Sequence, residues 1–160
     1  MQKGIVVTSG RFDIFHAGHA KLLEFCKELG EFVIVLLQSD KSIVELTGQV
    51  PIFQQELRKH TLEACRYVDN VTIFDGYAPA SELTNIKPEI FVQEAPRLQP
   101  PGYDESRESV AERQKTFTEA PEQEIVEFYE GNVVFFPIDS EEKIRERVYA
   151  RLANGDCGEE

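Results

Sequence analysis

The chain has 160 residues, of which 41% are hydrophobic and 29% charged, and its net charge is −12 at pH 7. That length suits one domain with its own core, and the composition excludes a disordered chain. The acidic balance disfavours nucleic acid, whose phosphates are bound by basic residues. The longest apolar run, residues 32–37, falls far short of a membrane span of about 20 residues. No h-region or cleavage site opens the chain, so no secretory signal is expected. Cys26, Cys65 and Cys157 are odd in number, far apart and without a CxxC pair. They predict free thiols in a reducing compartment, the cytoplasm, and no zinc cluster.

In chain order, residues 4–8 form a β-branched run that predicts a buried strand. Residues 21–29 place Leu22, Leu23, Cys26 and Leu29 at helical spacing, and Gly30 ends the helix. Residues 32–38 read as an almost uninterrupted apolar strand, followed by a loop over 41–51. Residues 56–68 predict an amphipathic helix, 70–74 a third strand, 79–86 a short helix stopped by Pro88, and 90–93 a fourth strand. Continuous apolar strands alternating with helices predict an α/β fold, a doubly wound five-stranded parallel sheet of Rossmann-like type. Residues 94–121, with Pro96, Pro100, Pro101 and Gly102, read as a long excursion carrying one helix over 106–117. A helix over 122–129, a fifth strand over 132–136 and a closing helix over 140–152 follow. The domain is expected to span 1–152, with a frayed tail over 153–160.

The segment with chemistry in it is Thr8-Ser9-Gly10-Arg11-Phe12-Asp13-Ile14-Phe15-His16-Ala17-Gly18-His19, where the first strand hands over to the first helix. Ligands of doubly wound sheets bind at the carboxyl ends of strands, and a helix N-terminus offers unpaired N–H groups and a positive dipole end. An anion is the expected guest. His16 and His19, three residues apart, can aim at one point above the helix end. Gly18 leaves room for a phosphate near the backbone, and Gly10 for a nucleotide against the end of the strand. Asp13 is placed to cap the loop internally and Phe12 to anchor it in the core. A metal pair is the rival reading of two histidines, but no third ligand stands at a suitable spacing. The loop matches neither GxGxxG nor a P-loop.

The run Gly10-x-Phe12-Asp13-x-x-His16-x-Gly18-His19 resembles the signature of the cytidylyltransferase-like nucleotidyltransferases, the HxGH superfamily. The likeness continues through Leu22-Leu23-Glu24, Val33-Ile34-Val35, Ser39-Asp40, Leu57-Arg58, Tyr67-Val68-Asp69-Asn70-Val71 and Ile86-Lys87-Pro88-Glu89-Ile90-Phe91-Val92. It covers residues 3–93 and is nearest to glycerol-3-phosphate cytidylyltransferases and to the nucleotidyltransferase domain of bifunctional heptose-phosphate enzymes. The resemblance implies transfer of CMP or AMP from a nucleoside triphosphate to a sugar- or polyol-phosphate, with release of pyrophosphate. It implies His16 and His19 as catalytic residues, and Ser9, Gly10, Arg11, Phe12 and Gly18 at the nucleotide and its phosphates. It further implies acceptor or nucleotide contacts by Asp13, Asp40, Lys41 and Arg58, and Mg2+ entering with the triphosphate rather than held by a protein ligand set. A homodimer is carried over from the family. Residues 39–43 resemble the heptose-type branch, whose usual donor is ATP. Arg58-Lys59 and Arg66-Tyr67-Val68-Asp69 resemble the glycerol-phosphate branch, which uses CTP, and the balance favours CTP.

The pattern also breaks. Relatives carry a lysine in the loop after the second strand, where this chain has Thr47, with Lys41 a displaced substitute. A Gly-Gly-Asp stretch of relatives is Gln93-Glu94-Ala95-Pro96 here. The hydroxyl-rich start of their last helix is Ser140-Glu141-Glu142, which reads as a plain helix cap. Arg97, Arg107, Arg113 and Lys115 of the excursion are candidates to replace the missing cations. These departures keep open a degenerate relative that binds a nucleotide or phosphometabolite without transfer, and the shared opening motif keeps open an adenylyltransferase acting on a coenzyme precursor.

Overall fold

Strand β1 (Ile5–Gly10) buries Val6 and Val7 to 1% and 0% exposure. Adjacent residues of a strand point to opposite faces, so such a strand must be covered on both sides. The computed structural model, which describes residues 4–96 and 121–138 together with Ile144, Glu146, Tyr149, Ala150 and Ala153, shows that cover. The elements after β1 are α1 (Ala17–Leu29), β2 (Phe32–Gln38), α2 (Asp40–Thr47), α3 (Gln55–Glu63), β3 (Asn70–Phe74), α4 (Ala80–Ile86), β4 (Ile90–Pro96), α5 (Pro121–Phe128) and β5 (Asn132–Ile138). On one face Val6 packs with Leu22, Leu23 and Cys26 of α1 and Leu62 of α3. On the other, Val7 packs with Leu83 of α4 and Val126 of α5.

All five strands are parallel, in the order β3-β2-β1-β4-β5. The chain winds outward from β1 through β2 to β3, then crosses back to place β4 on the other flank of β1. That reversal opens a crevice at the carboxyl ends of β1 and β4, the point where such sheets bind ligands. The α/β doubly wound sheet expected from the sequence is the one observed. No helix of the described residues is long and apolar enough to cross a membrane.

The boundaries differ in instructive places. The segment read as a loop over 41–51 begins instead with a helix, α2. Ser39 caps it by accepting from the Ser42 N–H at 3.2 Å, and Gly48 ends it in the left-handed region at φ 70°. Strand β4 does not end at Gln93: it continues to Pro96, paired with β5 through Pro96 and Ile138. Helix α1 starts at Ala17 rather than 21, and α3 stops at Glu63 rather than 68. Residues 64–69 form turns that deliver Asp69 to β2, where its carboxylate accepts from the Val33 N–H at 2.7 Å and from Lys27 Nζ at 2.6 Å. The helix predicted over 106–117, and the arginines and lysine of that excursion, lie outside the described residues. Of the closing helix over 140–152, Ile144, Glu146, Tyr149 and Ala150 are described and helical, while Ser140 lies outside.

Candidate functional site

His16 is the N-cap of α1, with extended backbone. Its Nδ1 accepts from the Gly18 N–H at 3.0 Å, while His19 Nδ1 accepts from the His16 N–H at 3.3 Å. The two histidines thus make a reciprocal capping box, a role usually filled by a hydroxyl and a carboxamide or carboxylate. In a neutral imidazole one nitrogen accepts and the other bears hydrogen. With both Nδ1 atoms accepting, each neutral ring carries its proton on Nε2. No acidic residue stands in the first turn of α1, so the positive end of the helix dipole keeps its attraction for an anion.

His19 is 2% exposed. Burial first, then the neighbouring His16, lowers its pKa from 6.5 to about 3, against an opposing hydrogen bond with the Ile14 backbone. The ring is therefore neutral at neutral pH. It packs 4.9 Å from the Phe12 ring, 5.7 Å from Phe15 and 4.1 Å from His16, centroid to centroid. Phe12 is 3% exposed, so it supports His19 from the core. Its backbone sits at φ 49°, a left-handed conformation that costs a bulky residue on the order of 1–3 kcal/mol.

The glycines make room for protein atoms. A Cβ on Gly10 would lie 2.9 Å from the Phe12 ring and 3.3 Å from Glu94 Oε1. A Cβ on Gly18 would lie 2.7 Å from His16 Cε1 and 3.0 Å from Ile138. Ser9 and Gly10 end β1, half-buried, beside this loop. Glu94, which the sequence reading assigned to the excursion, belongs to β4. Its Oε1 lies 3.8 Å from His19 Nε2, across the crevice between β1 and β4. Its strand partner is Phe136 of β5, a pairing that no local sequence pattern records.

The remaining expected contacts separate into two kinds. Asp13 is buried, and its two carboxylate oxygens accept from the Ile52 and Phe53 N–H groups, each at 3.0 Å. Arg58 is buried with a side-chain exposure of 1% and faces four acceptors. Its Nε donates to Phe53 O at 3.0 Å, one terminal nitrogen to Arg11 O, and the other to Gln38 O at 2.9 Å and Asp40 Oδ1 at 2.7 Å. Asp40 also accepts from the Gln55 N–H at 3.0 Å, and Gln55 Oε1 accepts from the Asp40 N–H at 3.0 Å. Asp13, Asp40 and Arg58 are thus bound to protein groups. Arg11 is exposed, and with Asp13, Ile43, Thr47, Gln49, Val50 and Pro51 it lines an open cleft beside the loop. Lys41 points to solvent on α2, its Nζ 4.0 Å from Glu45. Sequence reasoning missed Gln55 and the Ser39 hydroxyl, which donates to Asp75 and ties the β3–α4 turn to α2. Ser39 caps α2 and Gln55 opens α3, and polar residues at helix starts carry no periodic signal that names their partners. Among the described residues no group of three or more His, Cys, Asp or Glu is placed to hold a metal.

Comparison with known proteins places this chain among relatives. A family model described as cytidylyltransferase-like matches residues 7–145. A bifunctional protein HldE of Campylobacter concisus is 43% identical over 95 residues, covering 59% of this chain and 20% of the relative. A bifunctional protein HldE of Citrifermentans bemidjiense is 32% identical over 130 residues, covering 81% of this chain and 25% of the relative. This chain therefore spans a quarter or less of the length of these curated relatives. Among solved structures, a lipopolysaccharide core biosynthesis protein from Thermoplasma volcanium shares the fold with a TM-score of 0.56 at 24% identity, over 85% of this chain and 96% of that one.

Proposed function

The chain belongs to the cytidylyltransferase-like family of nucleotidyltransferases, and from that premise we propose that it transfers CMP or AMP from the triphosphate to a sugar- or polyol-phosphate. In this reaction a phosphate oxygen of the acceptor forms a bond to the α-phosphorus. The bond from that phosphorus to the bridging oxygen breaks, and pyrophosphate leaves with the electron pair. No covalent enzyme intermediate is required, so the protein contributes position and charge stabilisation. His16 and His19 would donate from Nε2–H to the triphosphate at the end of α1. Arg11, on the exposed side of the loop, would add a cation where the loop after β2 lacks the family lysine. Ser9, Gly10 and Gly18 would border the nucleotide, and Phe12 would hold the His19 ring. Magnesium entering with the nucleotide would neutralise phosphate charge. The donor set fits an ion held mainly by substrate oxygens, with Glu94 the carboxylate beside the histidines.

The observation that carries this reading is the histidine capping box at the crevice between β1 and β4, which places both proton-bearing Nε2 atoms at a helix N-terminus. A second reading, nucleotide binding without transfer, is favoured by one observation: Lys41 points to solvent while Asp40 and Arg58 are bound to protein groups, so the expected acceptor contacts are not offered. The test is pyrophosphate release with ATP or CTP against a panel of aldose 1-phosphates and polyol phosphates. Release that requires one nucleotide and one acceptor class supports transfer. Nucleotide binding with no release from any pair would establish the second reading.

A further inference from the structure

We propose that Arg58 is a positioning residue of the nucleotide site, holding the 10–13 loop in its working shape without touching substrate. The inference rests on the nucleotide-site reading above and adds a device to it. The guanidinium joins four segments that are separate in sequence: the loop after β1 through Arg11 O, the end of β2 through Gln38 O, the start of α2 through Asp40, and the α2–α3 linker through Phe53 O. A second tie crosses the same gap, because Asp13 accepts from the Ile52 and Phe53 N–H groups. The backbone of Phe53 is thus held at both polar groups, its N–H by Asp13 and its carbonyl by Arg58.

Between those anchors, at Arg11 and Asp13, lies Phe12 with φ 49°. Such a conformation persists only where the surroundings over-determine it. Its outcome is the Phe12 ring 4.9 Å from His19, so the chain of contacts runs from Arg58 through the Arg11 carbonyl and the Phe12 backbone to the histidine. Both anchors fix the root of the exposed Arg11 side chain as well. A lysine cannot replace this group. Its single ammonium keeps the charge opposite Asp40 but cannot reach acceptors on four sides, as a planar fork does.

The experiment compares wild type with Arg58→Lys, Asp40→Asn and, as a destabilised control on the same helix, Leu62→Val. Each is titrated calorimetrically with ATP and with CTP in magnesium, and hydrogen exchange is followed in peptides covering 10–14 and 50–54 without nucleotide. The expected result is faster exchange in both peptides and roughly tenfold or greater loss of nucleotide affinity in Arg58→Lys. Leu62→Val, at equal or lower melting temperature, should keep wild-type affinity within about twofold. Asp40→Asn, which retains an acceptor for Arg58, should fall between them and serves if the lysine variant does not fold. Equal affinity loss in the control, or unchanged exchange at 10–14 in Arg58→Lys, overturns the proposal. If wild type binds neither nucleotide, the functional reading fails and so does the nucleotide role of Arg58, while altered exchange would still show that Arg58 holds the loop.

Discussion

The two flanks of the 10–15 loop treat their polar residues in different ways. On the α1 flank, His16 and His19 each give one ring nitrogen to the backbone and carry a proton on the other. On the α2–α3 flank, Asp13, Asp40, Gln55 and Arg58 are matched against protein groups across the gap. The difference follows from desolvation. A guanidinium at 1% exposure requires acceptors inside the fold, and four of them surround it. The neutral His19 imidazole is far less costly to bury than a charged side chain, so it can stand in the core beside Glu94. Six polar residues around one loop thus divide into two whose ring nitrogens cap a helix and four that are matched across the gap.

The substitution that strikes the α2–α3 flank hardest is Arg58→Ala. It removes one of the donors to Asp40 and the guanidinium donor of three carbonyls, and stability should fall by about 3–5 kcal/mol, read as a lowered urea midpoint. Leaving the midpoint within about 0.5 kcal/mol of wild type would show that the flank is not built on this group. Next is acid. The folded His19 pKa, about 3, lies below its ordinary 6.5, so the unfolded chain takes up a proton first as pH falls. The stability contributed by the neutral ring is full above pH 6.5 and declines toward pH 3, by up to a few kcal/mol. His19→Gln should flatten that slope relative to wild type between pH 7 and 4, and parallel slopes would contradict a buried neutral ring. Asp13→Ala removes the acceptor of two backbone N–H groups and should cost roughly 1–3 kcal/mol, measured by the shift in melting temperature. Lys41→Ala, by contrast, should change stability by less than about 0.5 kcal/mol, because its ion pair is solvent-exposed.

Much of the frame could be read from residue pattern. The five apolar runs became the five strands, because parallel strands buried on both faces must be apolar throughout. The glycine and histidine spacing placed the candidate site at the end of β1, where the crevice lies. The helix α2 was not found, since its eight residues, DKSIVELT, are too short for a periodic signal. Its Ser39 cap and Gly48 terminator were the cues available. Strand β4 was cut short because Glu94 and Pro96 look like loop residues, although their neighbours in β5 are apolar. Asp40 and Arg58 could be marked as site residues from sequence, but their mutual pairing could not. Contacts between residues 18 positions apart depend on how α3 packs over the ends of β1 and β2, which no local pattern records.

In the function proposed, the histidine pair at the start of α1 holds the triphosphate. Melting temperature measured with ATP, CTP, GTP and UTP in magnesium tests it directly, for wild type and for the double variant His16→Ala with His19→Ala. A nucleotide at about 100 times its Kd adds about 2.7 kcal/mol to the folded state, a shift of several degrees in a domain of this size. That shift is expected for ATP or CTP in the wild type, with its loss in the folded double variant. An equal shift in both proteins, or none in the wild type with any nucleotide, would contradict it.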